Sequence, residues 1–463
     1  MVLLPISRPP LRRFPMPSPV TKVLWNAFTL WHVRSERNLP YRPLSEILAL
    51  QARRVRAIVA HAYQEVPFYR EEMDRRGLKP GDIRTAADLA ALPLIDGSKL
   101  AREPDRFLAA NLIHTPGLVL DSSGTSGRSK QIRYDARALF QALAKGQRHR
   151  FALSAFTGGV FGYREMHIAR PSSVPAQMRH FYERYSWTPP GVDLTRQYLS
   201  PGDLSFEETV VTINQFRPDV IRGYGSYLGL LFREAHRRKA GIHRPKAIVY
   251  SADAMPEADR RLIEEEFGIP VNSTYQSVEA LRIGFQCERR RGFHLSLDAV
   301  AVRVVDDEGQ DVAPGGSGHI VISNLTNRAT VLLNYKLGDI VTRSYSECDC
   351  GRTLPTIEAI EGRSDDLLRL TDGRMMHALV ALEPLRAVPG VVQVQILQKA
   401  RDRFVLRVVG RPGIDCTETS GDLVRALQSK VGTTGHVTVD WVDAIPLGIN
   451  GKVKAVISEL PAE

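Results

Sequence analysis

The sequence of 463 residues has few cysteines and no long hydrophobic run. Its 4 cysteines are too few for a disulfide-stapled scaffold, so a reducing cytoplasm is the expected compartment. No apolar stretch approaches the length that crosses a bilayer, so no membrane span is expected. Pro5, Pro9 and Pro10 interrupt any signal-peptide core near the start of the chain. We expect residues 1–20 to form a mobile, Pro-rich arm.

The chain also lacks the usual marks of a nucleic-acid-binding protein, although its net charge is +11 and its pI is about 9.5. It has no arginine-rich tail, no zinc-finger spacing and no repeat of aromatic and basic residues. A basic surface also attracts the phosphates of nucleotides and cofactors. A high arginine content can also occur in a protein that has no anionic partner. Charge alone therefore gives no reason to expect a nucleic-acid partner.

Short apolar runs alternate with helical stretches from residue 118 onward, which is typical of an α/β fold with parallel strands. The strand candidates are Leu118–Leu120, Val220–Arg222, Ala247–Ser251 and Val271–Thr274. The helix candidates are 43–62, 82–92, 207–216, 226–238 and 257–267. The sequence therefore predicts a large α/β core, and we see no internal repeat in it.

The pattern becomes β-rich near residue 295 and changes again after the polar stretch Gly362–Asp366. The β-rich part has strand candidates at Leu297–Val305, His319–Ser323 and Ala329–Tyr335. The last hundred residues have the pattern of a small α+β unit, with helices near 377–387 and 420–430 and strands near 391–398, 403–409 and 436–441. We therefore predict an N-terminal domain over 21–363 and a C-terminal domain over 364–463.

The run Asp121–Lys130 reads Asp-Ser-Ser-Gly-Thr-Ser-Gly-Arg-Ser-Lys. Its two glycines allow a tight turn with exposed N–H groups, and its hydroxyl groups and cations favour negative charge. The run is therefore suited to phosphate oxygens, although it lacks the Walker A spacing. A flexible surface linker rich in Ser and Gly is the alternative.

Four further motifs follow this run. In the first, Tyr275–Glu279, an acidic side chain follows a predicted strand, where it can hold Mg²⁺ against nucleotide phosphates. In the second, Tyr335–Asp339, the final carboxylate can accept bonds from ribose hydroxyls. The third is Gly362–Asp366, and the fourth, Pro446–Lys452, ends in a lysine. Taken singly, Glu279 could be an ordinary carboxylate at a helix start, Asp339 a turn residue and Lys452 a solvated lysine. The occurrence of all these motifs in this order is hard to assign to chance.

Three of the four cysteines fall in the β-rich region, together with a histidine. Cys287 and His294 form one pair, and Cys348 and Cys350 form a second. Two such pairs can build a closed tetrahedral zinc site, which is structural because it leaves no open position for water or substrate. Buried thiols and a core histidine are the alternative, since the spacings are not those of a zinc finger. Cys416 is interpreted as an ordinary thiol.

Together these motifs resemble the adenylate-forming enzymes of the acyl-CoA synthetase superfamily, in particular the branch of phenylacetate-CoA ligase and CapK-like proteins. The resemblance extends from Val66-Pro67-Phe68-Tyr69 to Lys452, and the run Cys348–Thr353 with Gly362–Asp366 is its most branch-specific part. It implies a large adenylate-forming domain with parallel sheets and a β-rich subdomain, followed by a small, mobile α+β domain. It also implies two steps, in which ATP and a carboxylate give an acyl-adenylate and pyrophosphate, and a thiol or amine then displaces AMP.

The resemblance also implies roles for individual residues. Those expected to hold the nucleotide are Ser122, Ser123, Gly124, Thr125, Ser126, Gly127, Lys130, Ser251, Ala252, Asp253, Tyr275, Asp339 and Arg363. Lys452, Glu279 and Thr125 would be catalytic, Glu279 would bind Mg²⁺, and Asp365 would be the hinge of the C-terminal domain. The expected cofactors are ATP, Mg²⁺, CoA and a structural Zn²⁺. The expected partners are a small carboxylic acid and an acyl acceptor, which is CoA or another thiol or amine. A homodimer, in which a second copy of the chain is the partner, is a further expectation.

The sequence departs from the family pattern at three places. Tyr-Gln-Ser-Val-Glu replaces the usual Tyr-Gly-x-Thr-Glu, Asn334 replaces an arginine, and Thr371–His377 differs from the phenylacetate-type Gly-x-Asn sequence. These differences argue against phenylacetate as the substrate. They do not decide whether the acceptor of the acyl group is CoA, another thiol or an amine. An amine acceptor would make the protein an amide-forming ligase of polysaccharide or secondary-metabolite biosynthesis. A nucleotide-binding interaction protein without catalysis is the second alternative.

The motif match predicts that Lys452→Ala lowers adenylation by several orders of magnitude. The family's C-terminal lysine stabilises charge on the α-phosphoryl oxygens, and it serves only the first half-reaction. Thioester formation from a supplied acyl-adenylate should stay largely intact. Single-turnover assays of the two half-reactions test this, and equal loss of both would contradict it.

Overall fold

The structure is a computed structural model that describes most of the chain. The described residues are 17–112, 115–122, 130–187, 195–201, 203–344, 347–363, 367–372, 375–432, 435–445 and 455–460. They form two compact units, of which the first consists of Met1–Leu337 and Arg343–Ala359. The second consists of Gly338–Thr342 and Ile360–Glu463.

Helices and strands alternate through most of the chain. The α-helices are α1 (Pro19–Glu36), α2 (Leu44–Glu65), α3 (Pro67–Arg75), α4 (Gly97–Arg102), α5 (Ala136–Lys145), α6 (Gln147–Thr157), α7 (Val174–Tyr185), α8 (Phe206–Phe216), α9 (Gly225–Arg237), α10 (Glu257–Glu266), α11 (Ala378–Arg386) and α12 (Cys416–Val431). The strands are β1 (Gly117–Ser122), β2 (Lys130–Asp135), β3 (Glu165–Ile168), β4 (Arg196–Leu199), β5 (Val220–Gly223), β6 (Ala247–Tyr250), β7 (Val271–Tyr275), β8 (Gly284–Phe285), β9 (Phe293–Leu295), β10 (Val300–Val305), β11 (Ser317–Asn324), β12 (Tyr335–Arg343), β13 (Thr356–Arg363), β14 (Leu367–Arg369), β15 (Met375–His377), β16 (Val391–Ala400), β17 (Arg403–Gly410), β18 (His436–Trp441) and β19 (Val456–Ser458).

The main sheet has the strand order β10-β11-β12-β13-β9-β8-β7-β6-β5-β3-β4. The strands from β3 to β7 pair in parallel, and α7 to α10 connect them in turn. One face of these strands packs on an apolar core that includes Ile221, Ile248 and Val271. Because parallel strands end at the same edge, the loops after β5, β6 and β7 come together there, which is where open α/β sheets bind ligands.

Two helices of the first unit begin with defined caps. Asp135, the last residue of β2, accepts a bond from Ala138 N at 2.9 Å and starts α5. Ser205 and Glu208 form a reciprocal capping box at the start of α8. These caps satisfy N–H groups that the first turn of a helix leaves without partners, and they fix where each helix leaves its strand.

The second unit contains a four-stranded sheet in the order β18-β17-β16-β19. Helices α11 and α12 contribute Leu382, Leu385, Leu423 and Leu427 to its apolar core, in which all four side chains are buried. Strand β17 lies antiparallel to β16 and parallel to β18. A small α+β unit with its own core is therefore present.

The predicted fold class is confirmed, and several elements lie close to their expected bounds. Ala329–Tyr335 is not a strand, because Asn334 has a φ of 52° and the preceding backbone bonds to other segments. Leu333 N, for instance, donates to Tyr69 Oη at 2.7 Å. The helix expected over 82–92 is wrong as well, since Ala87–Ala91 is a 3₁₀ turn. Leu297 precedes its strand, which begins at Val300.

The sequence analysis missed α1, which a buried charge network ties to the first unit. Arg148 contacts Glu36 of α1 and also Asp298, at 2.7 Å from the Asp298 carboxylate. Lys145 lies 3.1 Å from Asp298. All four side chains are almost fully shielded from solvent, so losing one partner would leave an uncompensated buried charge.

In the described part of the chain, no helix combines the length and the apolar character of a membrane span.

Stability should fall as the pH is lowered below about 6.5, partly because of His149. Its Nε2–H donates a 2.8 Å bond to Asn272 Oδ1, and burial, with Arg222 nearby, lowers its pKa to about 3. The unfolded chain therefore binds this proton below about pH 6.5, whereas the folded chain resists it until about pH 3. His149→Gln should flatten the loss of unfolding free energy between these limits, measured by denaturant unfolding. The exposed His436→Gln is the control, and an unchanged slope in His149→Gln would contradict the assignment.

Candidate active site

A buried cluster of Lys130, Glu279 and Tyr335 lies in the first unit. Lys130 Nζ is 3.0 Å from Glu279 Oε1 and 3.1 Å from Tyr335 Oη. The Tyr335 hydroxyl lies 3.3 Å from the same carboxylate oxygen. Within the described residues no side chain bonds the other oxygen, Oε2. This second oxygen is therefore available to a cation of the kind that carboxylates hold, such as Mg²⁺.

Strand register brings Lys130 to the loop that carries Glu279. Ser122 and Lys130 are register partners in the β1–β2 hairpin, so the run between them starts and ends at one place. Its residues Ser123, Gly124, Thr125, Ser126 and Gly127 lie outside the described residues, and only the backbone of Ser122 is described. The predicted phosphate-binding run is thus joined at Lys130 to the contact with Glu279.

The loop after β7 is held in place on both sides of Glu279. Tyr134 Oη donates to Val278 O at 2.7 Å, and Asn324 Nδ2 donates to Glu279 O at 3.0 Å. Burial raises the pKa of Tyr134 well above its usual value, and the negative charge of Glu279 adds to this, so the hydroxyl remains a donor. Leu281 turns the chain with a φ of 57°. The backbone of this loop is therefore fixed by side chains from β2 and β11.

The tyrosines in this cluster were not assigned roles from the sequence. Tyr335 opens the motif in which only Asp339 was given a function, and Tyr134 lies four residues after Lys130. A tyrosine in a strand is usually a packing residue, so nothing in the pattern marks its hydroxyl. In the sequence, the motif Tyr335–Asp339 was the one signal that could have drawn attention to Tyr335.

Ser251, Ala252 and Asp253 follow β6 at the carboxyl edge of the sheet. Asp253 Oδ1 accepts a 2.5 Å bond from Gly225 N, and Ser226 Oγ donates to Asp253 Oδ2 at 2.5 Å. Ala252 has a φ of 75°, which is uncommon for a residue with a side chain. The aspartate therefore caps the start of α9 and connects the loop after β6 to the end of β5.

The remaining predicted residues are placed as follows. Tyr275 ends β7 and is buried, with its ring 6.2 Å from that of Phe293. Asp339 lies within β12, in the segment grouped with the second unit. Arg363 ends β13, and its side chain is not among those described. Asp365 and Lys452 lie outside the described residues.

The predicted metal residues Cys287, His294, Cys348 and Cys350 converge in the first unit, with ligand atoms all within 4.8 Å of one another. Cys287 Sγ lies 3.7 Å from Cys348 Sγ, and Cys350 Sγ lies 3.4 Å from His294 Nε2. Zn–S bonds of about 2.3 Å in a tetrahedron place two sulfurs about 3.8 Å apart and a sulfur about 3.6 Å from a ligating nitrogen. Both separations therefore fit a zinc ion.

The surroundings of the cluster also suit a metal. His294 Nδ1 is 3.0 Å from Leu354 O, which leaves Nε2 directed at the cysteines in the tautomer that ligating histidines use. Burial lowers the pKa of His294, so the ring is neutral, as a ligating histidine must be. Gly292, in the turn before His294, has a φ of 62°, and a Cβ there would lie 2.5 Å from Ile357 O. The turn therefore requires glycine.

The branch-specific run Cys348–Thr353 also anchors the start of the domain. Arg352 Nη1 pairs with Glu288 at 2.9 Å, and its guanidinium lies over the Tyr41 ring at 5.0 Å. Thr353 N donates to Pro40 O at 2.8 Å. The residues after the two cysteines thus join the segments of the Cys/His cluster to the turn before α2.

Comparison with known proteins agrees with the resemblance. Residues 368–459 match the family described as the CapK C-terminal domain. The chain is 29% identical over 458 residues to a phenylacetate-coenzyme A ligase of Thermus thermophilus, covering 90% of this chain and 97% of that one. It is 24% identical over 449 residues to a phenylacetate-coenzyme A ligase of Aromatoleum evansii. The predicted relationship is confirmed. The chain is similar in sequence to phenylacetate-coenzyme A ligases over nine-tenths of its length.

Solved structures show the same fold. A 2-hydroxyisobutyryl-CoA ligase in the postadenylation state matches with a TM-score of 0.72, 19% identity and coverage of 90% of this chain and 91% of that chain. An ATP-bound MatB from Rhodopseudomonas palustris matches 73% of this chain with a TM-score of 0.52. At this identity the likeness concerns the fold, which is that of the adenylate-forming ligases.

The Lys130–Glu279 pair predicts a strong asymmetry between single and double variants. Lys130→Met should lower the free energy of unfolding by about 3–5 kcal/mol, because it leaves a buried carboxylate without its cation. Combining it with Glu279→Gln should recover part of that loss, since the amide carries no charge. Denaturant unfolding of the two single variants and the double variant measures the difference. A double variant less stable than Lys130→Met alone would contradict a paired, buried contact.

Proposed function

We propose that this protein is an AMP-forming ligase that activates a carboxylic acid with ATP and transfers the acyl group to CoA. The observation that carries the proposal is the Lys130–Glu279–Tyr335 cluster, where the Gly/Ser run meets the loop at the carboxyl end of β7. Relatives over nine-tenths of the chain are named as ligases that join phenylacetate to coenzyme A. In the first step a carboxylate oxygen attacks the α-phosphorus of ATP and pyrophosphate leaves. In the second a thiolate attacks the acyl carbon and AMP leaves.

The cluster provides charges of both signs for the triphosphate. Lys130 is a cation that phosphate oxygens can approach, and it contacts Glu279 while ATP is absent. The free oxygen of Glu279 fits Mg²⁺, which neutralises phosphate charge when it is bound. The Tyr335 hydroxyl keeps both groups in position through bonds to each. Binding of ATP therefore exchanges one buried ion pair for contacts of each partner with phosphate or metal.

The other residue assignments rest on the motif match, and we retain them as proposals. Ser122, Ser123, Gly124, Ser126 and Gly127 hold phosphate oxygens, and Thr125 acts with Glu279 and Lys452 in adenylation. The nucleoside end of ATP is bound by a second set: Ser251, Ala252, Asp253, Tyr275, Asp339 and Arg363. The capping role of Asp253 suggests that it acts there by shaping the loop after β6. Asp365 is the hinge between half-reactions.

Pyrophosphate exchange tests this proposal. Purified protein with ATP, Mg²⁺ and labelled pyrophosphate should form labelled ATP only when a suitable aryl or short acyl carboxylate is present. Glu279→Gln should lower that exchange by about 100-fold, because it removes a charge that acts on the phosphates. The surface variant Glu257→Gln is the matched control. ATP binding without exchange for any acid would favour a nucleotide-binding protein without catalysis.

We also propose that Cys287, His294, Cys348 and Cys350 bind one structural zinc ion. The support is the separation of their ligand atoms, the neutral histidine and the backbone partner of its second nitrogen. The four ligands come from the segment after β8, from β9 and from the segment before β13. A metal there cross-links three segments of the β-rich part, and four protein ligands complete its coordination.

Zinc content and stability test the metal site. Protein purified without added metal should contain about one zinc per chain, and a strong chelator should lower its melting temperature because metal binding is coupled to folding. Cys348→Ser should lose the metal, whereas Cys416→Ser, which changes an exposed thiol, should keep it. A zinc content near zero in the unaltered protein would contradict the site.

A further inference from the structure

Charged side chains occupy one face of the parallel strands at β3, β4 and β5. Glu165, the first residue of β3, is fully buried. Its carboxylate contacts Arg150 at 2.9 Å and Arg196 at 3.1 Å, and it also contacts Arg222 of β5. Three guanidinium groups thus share one carboxylate.

Arg282 adds a fourth positive charge to this group. Among the described residues, none bonds the Arg282 side chain, and its Nε is shielded from solvent without a hydrogen-bond partner. The guanidinium lies where α5 meets α6, since a Cβ on Gly146 would be 3.2 Å from Arg282 Nη2. Burial lowers the pKa of Arg282, and the positive charges of Arg222 and Arg150 lower it further.

The two histidines beside these arginines, His149 and His167, do not change the net charge of the group. Burial lowers the pKa of His149 to about 3, and burial also lowers the pKa of His167 although Glu165 opposes the shift. Both rings are therefore neutral near pH 7. Four arginines and one carboxylate give a net charge of +3 in the described part of this face. Such charges are costly away from water unless an anion pairs with them.

Two of the four arginines, Arg282 and Arg222, belong to segments near the carboxyl ends of the parallel strands, where the acid is expected to bind. Arg282 follows Glu279 by three residues in the loop after β7, and Arg222 precedes Gly223, which ends β5. The side chain of Arg222 is 19% exposed and that of Arg196 is 31% exposed, so the group is open to solvent on one side. Guanidinium groups bind carboxylates and phosphates through paired N–H bonds.

We propose that the acid activated by this protein carries a second anionic group, a carboxylate or a phosphate, which binds to Arg282 and Arg222. The proposal rests on the ligase function proposed above. One carboxylate of the substrate is activated by ATP, and the second anion supplies the negative charge that the arginine group lacks. An acid with a purely hydrocarbon side chain would leave the excess positive charge of this group without a counter-ion.

A panel of diacids and their half-esters tests this selectivity. Pyrophosphate exchange is measured with succinate, glutarate, isophthalate and 3-phosphonopropionate, and with the monomethyl ester of each dicarboxylate. At least one dianionic acid should exceed its monoanionic analogue in kcat/KM by about 10- to 100-fold, the range of a charged hydrogen bond. A response to the phosphonate and to no dicarboxylate identifies the second anion as a phosphate.

Arg282→Gln separates binding from structure. It should remove the preference for the diacid, mainly through KM, while exchange with the half-ester changes little. Arg261→Gln, which alters an exposed arginine of α10, should keep the preference. If Arg282→Gln does not fold, the unaltered protein still gives a test, because a preferred diacid should raise its melting temperature more than the half-ester does.

Several results would overturn the proposal. Half-esters and simple acids that match every diacid in kcat/KM would contradict it while leaving the ligase function intact. An equal loss for all acids in Arg282→Gln would show a structural role. A rise in the KM for CoA alone would assign the arginines to the acceptor. No exchange with any acid would contradict the ligase function itself, and this proposal with it.

Discussion

The buried ion pair between Lys130 and Glu279 is the contact on which the candidate site depends. It joins a hairpin that lies outside the main sheet to the loop at the end of a central parallel strand. An isolated lysine or glutamate in this position would pay a large desolvation cost, so each holds the other in place. The same two charges have the signs needed for phosphate and for Mg²⁺, so the pair that joins these segments is also the one proposed to bind ATP.

The first unit surrounds this pair with rigid supports. Tyr134, Asn324 and Tyr335 fix it from β2, β11 and β12, and the Cys/His cluster would brace the β-rich strands that lie beside β7 in the sheet. On one face of β3, β4 and β5, the single carboxylate of Glu165 contacts three arginines, so this group carries excess positive charge. A ligase for simple aryl acids has no use for such charge, which agrees with the departures of the sequence from the phenylacetate pattern.

Sequence reasoning succeeded where the signal lies within one segment of the chain. The alternation of apolar and helical segments predicted the parallel strands. The grouping of three cysteines and a histidine in the β-rich region predicted four residues that the fold brings together. It misjudged Ala329–Tyr335, because the apolar residues there are buried as an irregular segment that bonds to Tyr69. It also missed Arg282, because this arginine stands out only by lacking a carboxylate partner among the described residues, and that depends on residues distant in sequence.

Transfer of oxygen from the acid to AMP tests the central claim most directly. If an acid that supports exchange is labelled with ¹⁸O at both carboxylate oxygens, attack on the α-phosphorus makes one labelled oxygen the bridge between the acyl carbon and phosphorus, while the other stays as the carbonyl oxygen. Displacement by CoA then leaves the bridging oxygen on AMP. The proposed function predicts one ¹⁸O per AMP formed, detected by mass spectrometry. Label in inorganic phosphate together with formation of ADP would show an acyl-phosphate instead and contradict the adenylate-forming mechanism.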